Sequence, residues 1–498
     1  MRPVDWFLLA LGPLSLGCNW NSFDPYEKTA PIRVHSAPSN YEQPSYGSEL
    51  ATSQTSSGGG SISTLFASAG ATSPITIQRA WTGSHVSESG AQLRCHAKDE
   101  CPGGSDIGST LIPFATWAAS STAPQNNCVF APSNSNLPWD PRSDPRLGGE
   151  AFVLCENAST VHFAMSESFL AARGDNGSMQ FSGFGLPTAH PLGVVIYGAY
   201  AIDNLTAERR GGGIYVQQDV VQAKGTAPLA LPIPLLDPAT NQAFYEDPRA
   251  ADLGRQVVGS VAATGSVLLA FSQPSRQRVL VASWDASLPG EPIDKFRLRA
   301  CISSPDASLR GFGERLLLGD VTGDGLSELF IGSDPVNGAE PGRQALYMYR
   351  GEGLPGSAVD GAACAPWNQA GKAVACTDEA GLRCQGSAFG ASLALGDIDA
   401  DGKSDLIVGA PLTEVGKAEE SGAVWLLPGS ADGLALDRTA VLTAGSHAHG
   451  HLGARVAALH TEARDEPVAS APGRGDIYVF MCSPLEPGFG EKSLCLPN

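Results

Sequence analysis

The sequence has few basic residues and no long apolar run after its N-terminus. Lysine and arginine number 32 against 51 aspartate and glutamate residues, so the net charge is -19. Proteins that bind nucleic acid need a cationic surface for the phosphates, so this balance argues against a nucleic-acid partner. No later run approaches the roughly 18 apolar residues that a membrane-spanning helix needs.

Several motifs of catalytic proteins are also missing. The chain has no phosphate-binding P-loop, no dinucleotide fingerprint, and no serine nucleophile elbow followed by an identifiable histidine and acid. We therefore expect that the chain is not an enzyme. No segment has helical periodicity. From Ile75 to the end, short β-type runs recur between turns, and the chain contains 58 glycines and 36 prolines. This pattern predicts an all-β repeat architecture.

The N-terminus has the features of a targeting segment. Arg2 precedes an apolar run from Trp6 to Leu11, and residues 14–18 read Leu-Ser-Leu-Gly-Cys. This resembles a bacterial lipobox, which implies a signal peptide over residues 1–18 and a lipid on Cys18. The protein would then be exported and anchored to the bacterial outer membrane or cell surface. An ordinary cleaved signal, or an uncleaved anchor, is the alternative.

Residues 19–74 are rich in Ser, Pro, Gly, Thr and Tyr. Such a composition buries little apolar surface, so it predicts a disordered, flexible tether. We expect the folded domain to occupy residues 75–498.

An acidic loop lies between two apolar runs in the stretch 389–411. Its carboxylates stand at relative positions 1, 3, 5 and 9, namely Asp397, Asp399, Asp401 and Asp405. Gly402 permits the tight turn that brings them together, and Lys403 at position 7 offers its backbone carbonyl. Hard oxygen donors at this density predict a Ca²⁺ site.

The stretch 312–335 repeats the pattern. The corresponding residues at positions 1, 3, 5, 7 and 9 are Asp320, Thr322, Asp324, Leu326 and Glu328. An EF-hand is excluded because position 12 is Ile331 in one loop and Val408 in the other, where that motif needs a bidentate glutamate. The flanking runs, which have no helical periodicity, predict strands.

The order Phe-Gly, short strand, acidic loop and Leu-Ile-Val-Gly-Ala-Pro is complete in residues 389–411. It resembles the FG-GAP repeat of integrin alpha-subunit β-propellers and their bacterial relatives. The upstream copy departs at its end, where residues 332–335 read Gly-Ser-Asp-Pro. The resemblance implies a β-propeller that captures a ligand on the face opposite or beside its metal loops.

Similar Phe-Gly or Leu-Gly pairs recur along the chain. Segments begin 69, 59, 77 and 63 residues apart, at Phe184, Leu253, Phe312, Phe389 and Leu452. These spacings suit four-stranded propeller blades. Residues 75–183 leave room for two more, so we predict a seven-bladed β-propeller of the integrin-alpha type, as a monomer.

The chain has 11 cysteines, and ten remain if Cys18 is lipidated. An even number suits disulfides in an oxidising compartment, and a zinc site is the weaker interpretation because paired Cys-x-x-Cys units are missing. Pairing is not fixed by sequence. Pairs that lie near one another are Cys95 with Cys101, Cys128 with Cys155, Cys376 with Cys384 and Cys482 with Cys495, which leaves Cys301 and Cys364.

Two further patterns have competing interpretations. His447, His449 and His451 could take a transition metal, but a solvated loop between blades is favoured. Arg474-Gly475-Asp476 spells an integrin-ligand tripeptide, for which a structural turn is favoured.

The sequence therefore predicts a calcium-binding lipoprotein that acts as a binding or adhesion module for an unknown protein or glycan. One alternative is a non-catalytic part of a hydrolase system. Another is a carbohydrate-binding propeller whose pockets would be lined by Trp117, Trp139, Trp367 and Trp425.

Overall fold

The computed structural model is built almost entirely of antiparallel β-strands. It describes short strand segments between residues 32 and 234, and residues 253–480 with gaps at 262–266, 286–287, 290–295, 307–308, 334–345, 356–365, 377, 379–381 and 461–463. The helical segments in this part of the chain are short 3₁₀ turns at Pro274–Arg276, Gly351–Gly353 and Leu436–Arg438. None of the described helices has the length and hydrophobicity that crossing a bilayer requires.

The described strands form seven four-stranded sheets. The first strand of the chain, β1 (Ile32–Ser36), belongs to the last of them. The first sheet contains β2 (Glu49–Ser57), β3 (Gly60–Ser68), β4 (Ile75–Arg79) and β7 (Gly90–Leu93), beside a small hairpin of β5 (Trp81–Thr82) and β6 (His85–Val86). The second contains β8 (Ile112–Trp117), β9 (Pro124–Pro132), β10 (Glu150–Cys155) and β11 (Val161–Ala164). The third contains β12 (Met179–Leu186), β13 (Val194–Ala201), β14 (Gly213–Gln218) and β15 (Ile233–Pro234).

The later sheets follow the same plan. The fourth contains β16 (Val257–Val261), β17 (Val267–Gln273), β18 (Arg278–Trp284) and β19 (Phe296–Ser303). The fifth contains β20 (Arg315–Gly319), β21 (Glu328–Gly332), β22 (Leu346–Tyr349) and β23 (Lys372–Ala373). The sixth contains β24 (Ser392–Gly396), β25 (Asp405–Ala410), β26 (Ala423–Leu427) and β29 (Ala440–Leu442), with a hairpin of β27 (Gly429–Ser430) and β28 (Gly433–Leu434). The seventh contains β30 (Val456–His460), β31 (Asp465–Ala471), β32 (Asp476–Phe480) and β1.

The first strand of each sheet contacts the first strand of the next sheet. Contacts run in order through β2, β8, β12, β16, β20, β24 and β30, and β30 contacts β2 in turn. The prediction of an all-β fold is confirmed.

Three strands lie within the residues predicted as a tether. Strand β1 pairs with β32, with Ile32 opposite Phe480, and the Ser36 hydroxyl donates a hydrogen bond of 2.7 Å to Asp476. Strands β2 and β3 also lie within residues 19–74, so the first sheet begins at Glu49 and not at Ile75. Strands β2 and β3 are rich in Ser and Thr and lack the sustained alternation of apolar and polar residues that predicts a strand. The predicted signal peptide and Cys18 lie outside the described residues.

The Phe-Gly pairs are structural. Phe389 packs edge-to-face on Trp425, with ring centroids 5.7 Å apart, inside the core between the fifth and sixth sheets. Gly390 follows with φ +89°, a left-handed conformation that favours glycine. Phe184 is an exception, since it lies near the end of β12 and not before a first strand. That predicted segment start is therefore wrong.

The structure bears on several cysteines. Cys376 and Cys384 form a disulfide, as their spacing suggested. Cys301 is also disulfide-bonded. The β9–β10 register places Cys128 opposite Cys155. The other cysteines stay outside the described residues.

Candidate metal centre

Both acidic loops are the turns between the first two strands of a sheet. Gly319 pairs with Glu328 across the upstream hairpin, and Gly396 pairs with Asp405 across the downstream one. Position 1 therefore follows the end of the first strand, and position 9 opens the second. Antiparallel pairing then brings the two ends of each loop together.

Asp405 is the fully buried carboxylate of the downstream loop. Its Oδ2 accepts hydrogen bonds from the backbone N–H groups of Ile398 (2.8 Å) and Asp399 (3.3 Å), and its Oδ1 accepts one from Gly429 (2.8 Å). Burial, and then the negative charge of Asp399, raise the pKa of Asp405 to about 7. This side chain thus holds the loop in shape, and burial disfavours its charged form unless a cation neutralises it.

Asp397 closes the turn from the other side. Its carboxylate accepts hydrogen bonds from the N–H groups of Asp401 (3.0 Å) and Gly402 (3.1 Å). Burial raises the pKa of Asp397, and the charges of Asp401 and Asp399 raise it further. Gly402 has φ +85°, and no heavy atom lies within 4 Å of where a Cβ would stand. The glycine is therefore needed for its backbone conformation and not for space.

Three of the four predicted carboxylates meet. One oxygen from each of Asp397, Asp399 and Asp405 lies within 4.8 Å of the others. Oxygens bound to one Ca²⁺ at about 2.3–2.6 Å are at most about 5 Å apart, so the set fits this ion. Asp401 is outside the set, since its carboxylate pairs with the Lys403 ammonium group. That hydrogen bond raises the pKa of Lys403.

The upstream loop repeats the buried acceptor. Glu328 is fully buried, and its carboxylate accepts hydrogen bonds from the N–H groups of Val321 (3.0 Å) and Gly351 (3.3 Å). These donors correspond to Ile398 and Gly429 in the downstream loop. Burial raises the pKa of Glu328, and the charges of Asp324 and Asp320 raise it further.

The rest of the upstream loop is arranged differently. Asp320 accepts hydrogen bonds of 2.7 Å from the N–H groups of Gly323 and Gly325, and the Thr322 hydroxyl donates to it at 3.3 Å. Asp324 accepts one from the N–H of Leu326, whose side chain is exposed. Where the structure describes the chain, these carboxylates do not gather as the downstream three do. The loop keeps its hairpin but has a looser set of donors.

Two polar partners of the downstream loop were not predicted. The Arg438 guanidinium group contacts Asp399 at 3.1 Å. Asp465 accepts a 2.8 Å hydrogen bond from the Asp397 N–H, and its own N–H donates to the Asp397 carbonyl at 2.8 Å. Asp465 is the first residue of β31, as Asp405 is the first residue of β25. This shared position at the start of a second strand could have indicated that the two residues are equivalent. The loop before Asp465 is shorter than the loop before Asp405, so the spacing of the acidic loops does not match there.

Adjacent hairpins are joined by the same backbone contact. The N–H of Ser404 donates to the carbonyl of Asp320 at 3.1 Å, as Asp465 does to Asp397. Position 1 of each loop is thereby tied to the hairpin of the next sheet. The two acidic loops thus lie side by side.

The Arg-Gly-Asp tripeptide is held by its own neighbours. Arg474 contacts Asp476 at 3.3 Å and lies over the Tyr478 ring, and Asp476 is 7% exposed. These contacts agree with the structural interpretation.

Comparison with known proteins places a known repeat on the downstream loop. Residues 389–427 match the FG-GAP repeat. A stretch of 107 residues is 34% identical to human integrin alpha-IIb and 32% identical to the mouse protein. The match covers 19% of this chain and 10% of the integrin, so the chain spans about a tenth of the length of these relatives.

Solved structures with a similar chain path include a Trypanosoma rangeli sialidase, with a TM-score of 0.37 and 10% identity over 75% of this chain and 54% of the sialidase. An α-L-arabinofuranosidase from Lactobacillus brevis has a TM-score of 0.31 and 9% identity over 54% of this chain and 79% of that one.

Proposed function

We infer that this chain, an FG-GAP protein of integrin-alpha-like type, is a calcium-dependent binding module and not an enzyme. The observation that carries the proposal is the group of Asp397, Asp399 and Asp405, whose oxygens lie within 4.8 Å of one another inside the matched repeat. A cation is the simplest way to balance three carboxylates at this separation.

The proposed architecture is a closed, monomeric, seven-bladed β-propeller. Support comes from the cyclic contacts between first strands, which return from β30 to β2. Support also comes from β1, an N-terminal strand that completes the sheet formed by the C-terminal strands. Such closure joins the two ends of the folded region.

Calcium would act as a structural ion in this propeller. In the downstream loop the carboxylates of Asp397, Asp399 and Asp405 would hold it, with the Lys403 carbonyl and a rearranged Asp401 as further donors. In the upstream loop the predicted donors are Asp320, Thr322, Asp324, the Leu326 carbonyl and Glu328. Binding to the folded state alone stabilises that state by mass action. Extracellular modules typically bind Ca²⁺ with Kd about 10⁻⁴–10⁻³ M, and we expect this range here.

The ligand would bind away from the calcium hairpins. These hairpins join the first and second strands of their sheets, so the loops between second and third strands lie at the other strand ends. The proposed partner is a protein or glycan at the cell surface, where a lipid on Cys18 would hold the chain. The net charge of -19 argues against nucleic acid.

A carbohydrate-binding propeller is the second candidate. Trp367 is 7% exposed and Trp425 is fully buried, so these two rings fill cores and do not present faces to sugars. Trp117 and Trp139 lie outside the residues whose side chains are described. The burial of Trp367 and Trp425 favours the protein-binding form of the proposal.

A binding screen tests the proposal. The full-length chain is applied to glycan and bacterial surface-protein arrays in Ca²⁺ and in chelator. We expect capture of a defined partner in Ca²⁺ and its loss in chelator. The Asp397→Asn/Asp399→Asn double variant should lose the same partner, and Asp432→Asn, which replaces an exposed acid in the turn between β27 and β28, should keep it. Identical capture in chelator would contradict calcium dependence, and turnover of a captured glycan would contradict a non-catalytic role.

A further inference from the structure

A second group of metal-ligating side chains lies at the other end of the sixth sheet. Glu420 is in the loop that joins β25 to β26, and His449 and His451 are in the connection from β29 to β30. The downstream acidic loop joins β24 to β25. The two groups are therefore at opposite ends of β25.

The three side chains converge on one point. The Nδ1 atom of His449 lies 2.9 Å from Oε2 of Glu420, and Nε2 of His451 lies 3.0 Å from the same oxygen. One ligand atom from each residue lies within 4.8 Å of the others. The sequence placed the histidines close together but gave no indication of Glu420, which is 29 residues from His449.

The backbone fixes this arrangement. The N–H of His449 donates to the Glu419 carbonyl at 2.8 Å, and the N–H of His451 donates to the Glu420 carbonyl at 3.0 Å. Glu420, His449 and His451 have φ of 51°, 57° and 57°, which non-glycine residues seldom adopt. The two segments are thus locked together in a costly conformation that presents all three side chains.

Two imidazole nitrogens and a carboxylate oxygen form a donor set for borderline divalent ions such as Zn²⁺. Ca²⁺ prefers oxygen donors alone, so this group differs in kind from the acidic loops. Tetrahedral bonds of about 2.0–2.1 Å place donor atoms about 3.4 Å apart. Small side-chain movements would widen the present contacts to that spacing, and the ring nitrogens would release any proton they share with Glu420 to solvent.

We propose that Glu420, His449 and His451 bind a transition-metal ion of the Zn²⁺ class, with a coordination position open to solvent. The His449 side chain is 64% exposed and that of Glu420 is 44% exposed, so an ion has access. Three protein donors leave the fourth tetrahedral position for water or for a group from a partner. The site does not depend on the proposed calcium-dependent function.

His447 provides a matched control. It lies in the same connection, but its side chain is not in the group of three. Its backbone N–H donates to the Ser421 hydroxyl, and burial followed by the charge of Arg474 lowers the pKa of its imidazole. Replacing it changes the histidine content of the segment without removing a proposed ligand.

The test uses the full-length chain, stripped of metal and then saturated with Ca²⁺ so that the acidic loops are occupied. Zn²⁺ is titrated by calorimetry, and Co²⁺ by its visible d–d absorption. We expect binding of one ion, with Co²⁺ absorption of the intensity typical of tetrahedral sites. Loss of outer-shell partners typically weakens metal binding by about 10–100-fold, so His449→Ala, His451→Ala and Glu420→Gln should each weaken it by at least about tenfold. His447→Ala should bind as the unchanged chain does.

Circular dichroism and thermal melting in Ca²⁺ establish that each variant is folded. The proposal is overturned if the chain binds neither ion, or if binding persists in His449→Ala and His451→Ala. It is also overturned if His447→Ala loses binding to the same extent. If the chain binds neither ion, the group is only a hydrogen-bonded contact between two loops; in the other two cases the ligands are different residues.

Discussion

At the scale of single residues, Asp405 and Glu328 each hold the backbone of an acidic loop by hydrogen bonds and each supply a buried carboxylate to a proposed metal site. Both side chains are fully buried. Each accepts hydrogen bonds from backbone N–H groups of its own loop and from a glycine that follows the third strand of its sheet, Gly429 for Asp405 and Gly351 for Glu328. The hydrogen bonds favour the ionised form, but burial opposes it, and burial is the larger effect. A bound cation would resolve this conflict in favour of the carboxylate.

The raised pKa of Asp405 predicts how stability depends on pH without calcium. Its pKa is about 7 in the folded chain and 3.8 in the unfolded chain, so between these values the folded state holds a proton that the unfolded state has lost. Stability should therefore fall as pH rises from about 4 to 7, by at most about 1.4 kcal/mol per pH unit for one proton. The raised pKa values of Asp397 and Glu328 act in the same direction. Urea unfolding in chelator at several pH values measures this slope.

In saturating Ca²⁺ this slope should flatten, because the ion binds the deprotonated carboxylates of the folded state and the unfolded carboxylates are also ionised above about pH 4. Asp405→Asn should reduce the chelator slope. The slope of stability against pH is a better readout than absolute stability. The side-chain amide N–H that this substitution introduces would face backbone N–H donors, so it would lower stability at every pH. A chelator slope that is flat over this range, or unchanged in Asp405→Asn, would contradict the burial argument.

At the scale of single elements, the hairpin explains why the acidic spacing works. Strand pairing fixes positions 1 and 9, and glycines with positive φ turn the chain between them. The two hairpins share this frame but differ in their donors, because only the downstream one gathers three carboxylates among the described residues. Equal backbone geometry therefore does not imply equal affinity.

This difference predicts unequal calcium effects. Ca²⁺ at about 10–100 times Kd stabilises by about 1.4–2.7 kcal/mol per site. Asp397→Asn should remove a larger part of the calcium-induced rise in Tm than Asp320→Asn, because it removes a member of the close group. Asp432→Asn is the control for loss of a negative charge. Thermal melts of the full-length chain with and without 10 mM Ca²⁺, a concentration about 10–100 times the expected Kd, give the comparison. Equal losses in the two variants would contradict the expected difference, and a larger loss in Asp320→Asn would show that the upstream loop is the tighter site.

Strand β1 gives a second prediction at this scale. Deleting residues 19–36 removes a strand that pairs with β32, and with it backbone hydrogen bonds that net about 0.5–1.5 kcal/mol each. We expect a loss of stability on the order of 2 kcal/mol or more. Deleting residues 19–30 alone leaves β1 in place and should change little. Equal melting temperatures for the two deletions would support the tether that the sequence predicted.

At the scale of the whole molecule, the first strands contact one another in a cycle. Hairpins at one end of the sheets carry the acidic loops, and the loops at the other end carry Glu420 and the tripeptide 474–476. Chain connectivity alone assigns these features to opposite ends of their strands. The proposed calcium sites and the proposed transition-metal site would thus act on different faces.

Anchoring through Cys18 is the prediction for the whole chain in its cell. Bacteria that express the protein and are fed a fatty-acid analogue should label it, and the labelling should disappear in Cys18→Ala. Cys301→Ala is the control, because that cysteine is disulfide-bonded and gives no thiol for acylation. Labelling that persists without Cys18 would contradict the lipoprotein proposal and leave the calcium sites unaffected.

The sequence alone determined the local features of this protein. The acidic spacing, the turn glycines and the flanking apolar strands lie within short segments, so their hydrogen bonds connect residues that spacing already relates. This is why the hairpins and the all-β class were predicted correctly, and why the Cys376–Cys384 disulfide joins two cysteines that lie close together in the sequence.

Only the tertiary structure decided the contacts between distant segments. The Ser36 and Asp476 side chains that join β1 to β32 are 440 residues apart, Arg438 is 39 residues from Asp399, and Glu420 is 29 residues from His449. Local spacing carries no information about such pairs, because their geometry depends on how whole sheets pack side by side. The sequence therefore specifies each hairpin, whereas packing decides which strand completes the last sheet and which side chains share a site.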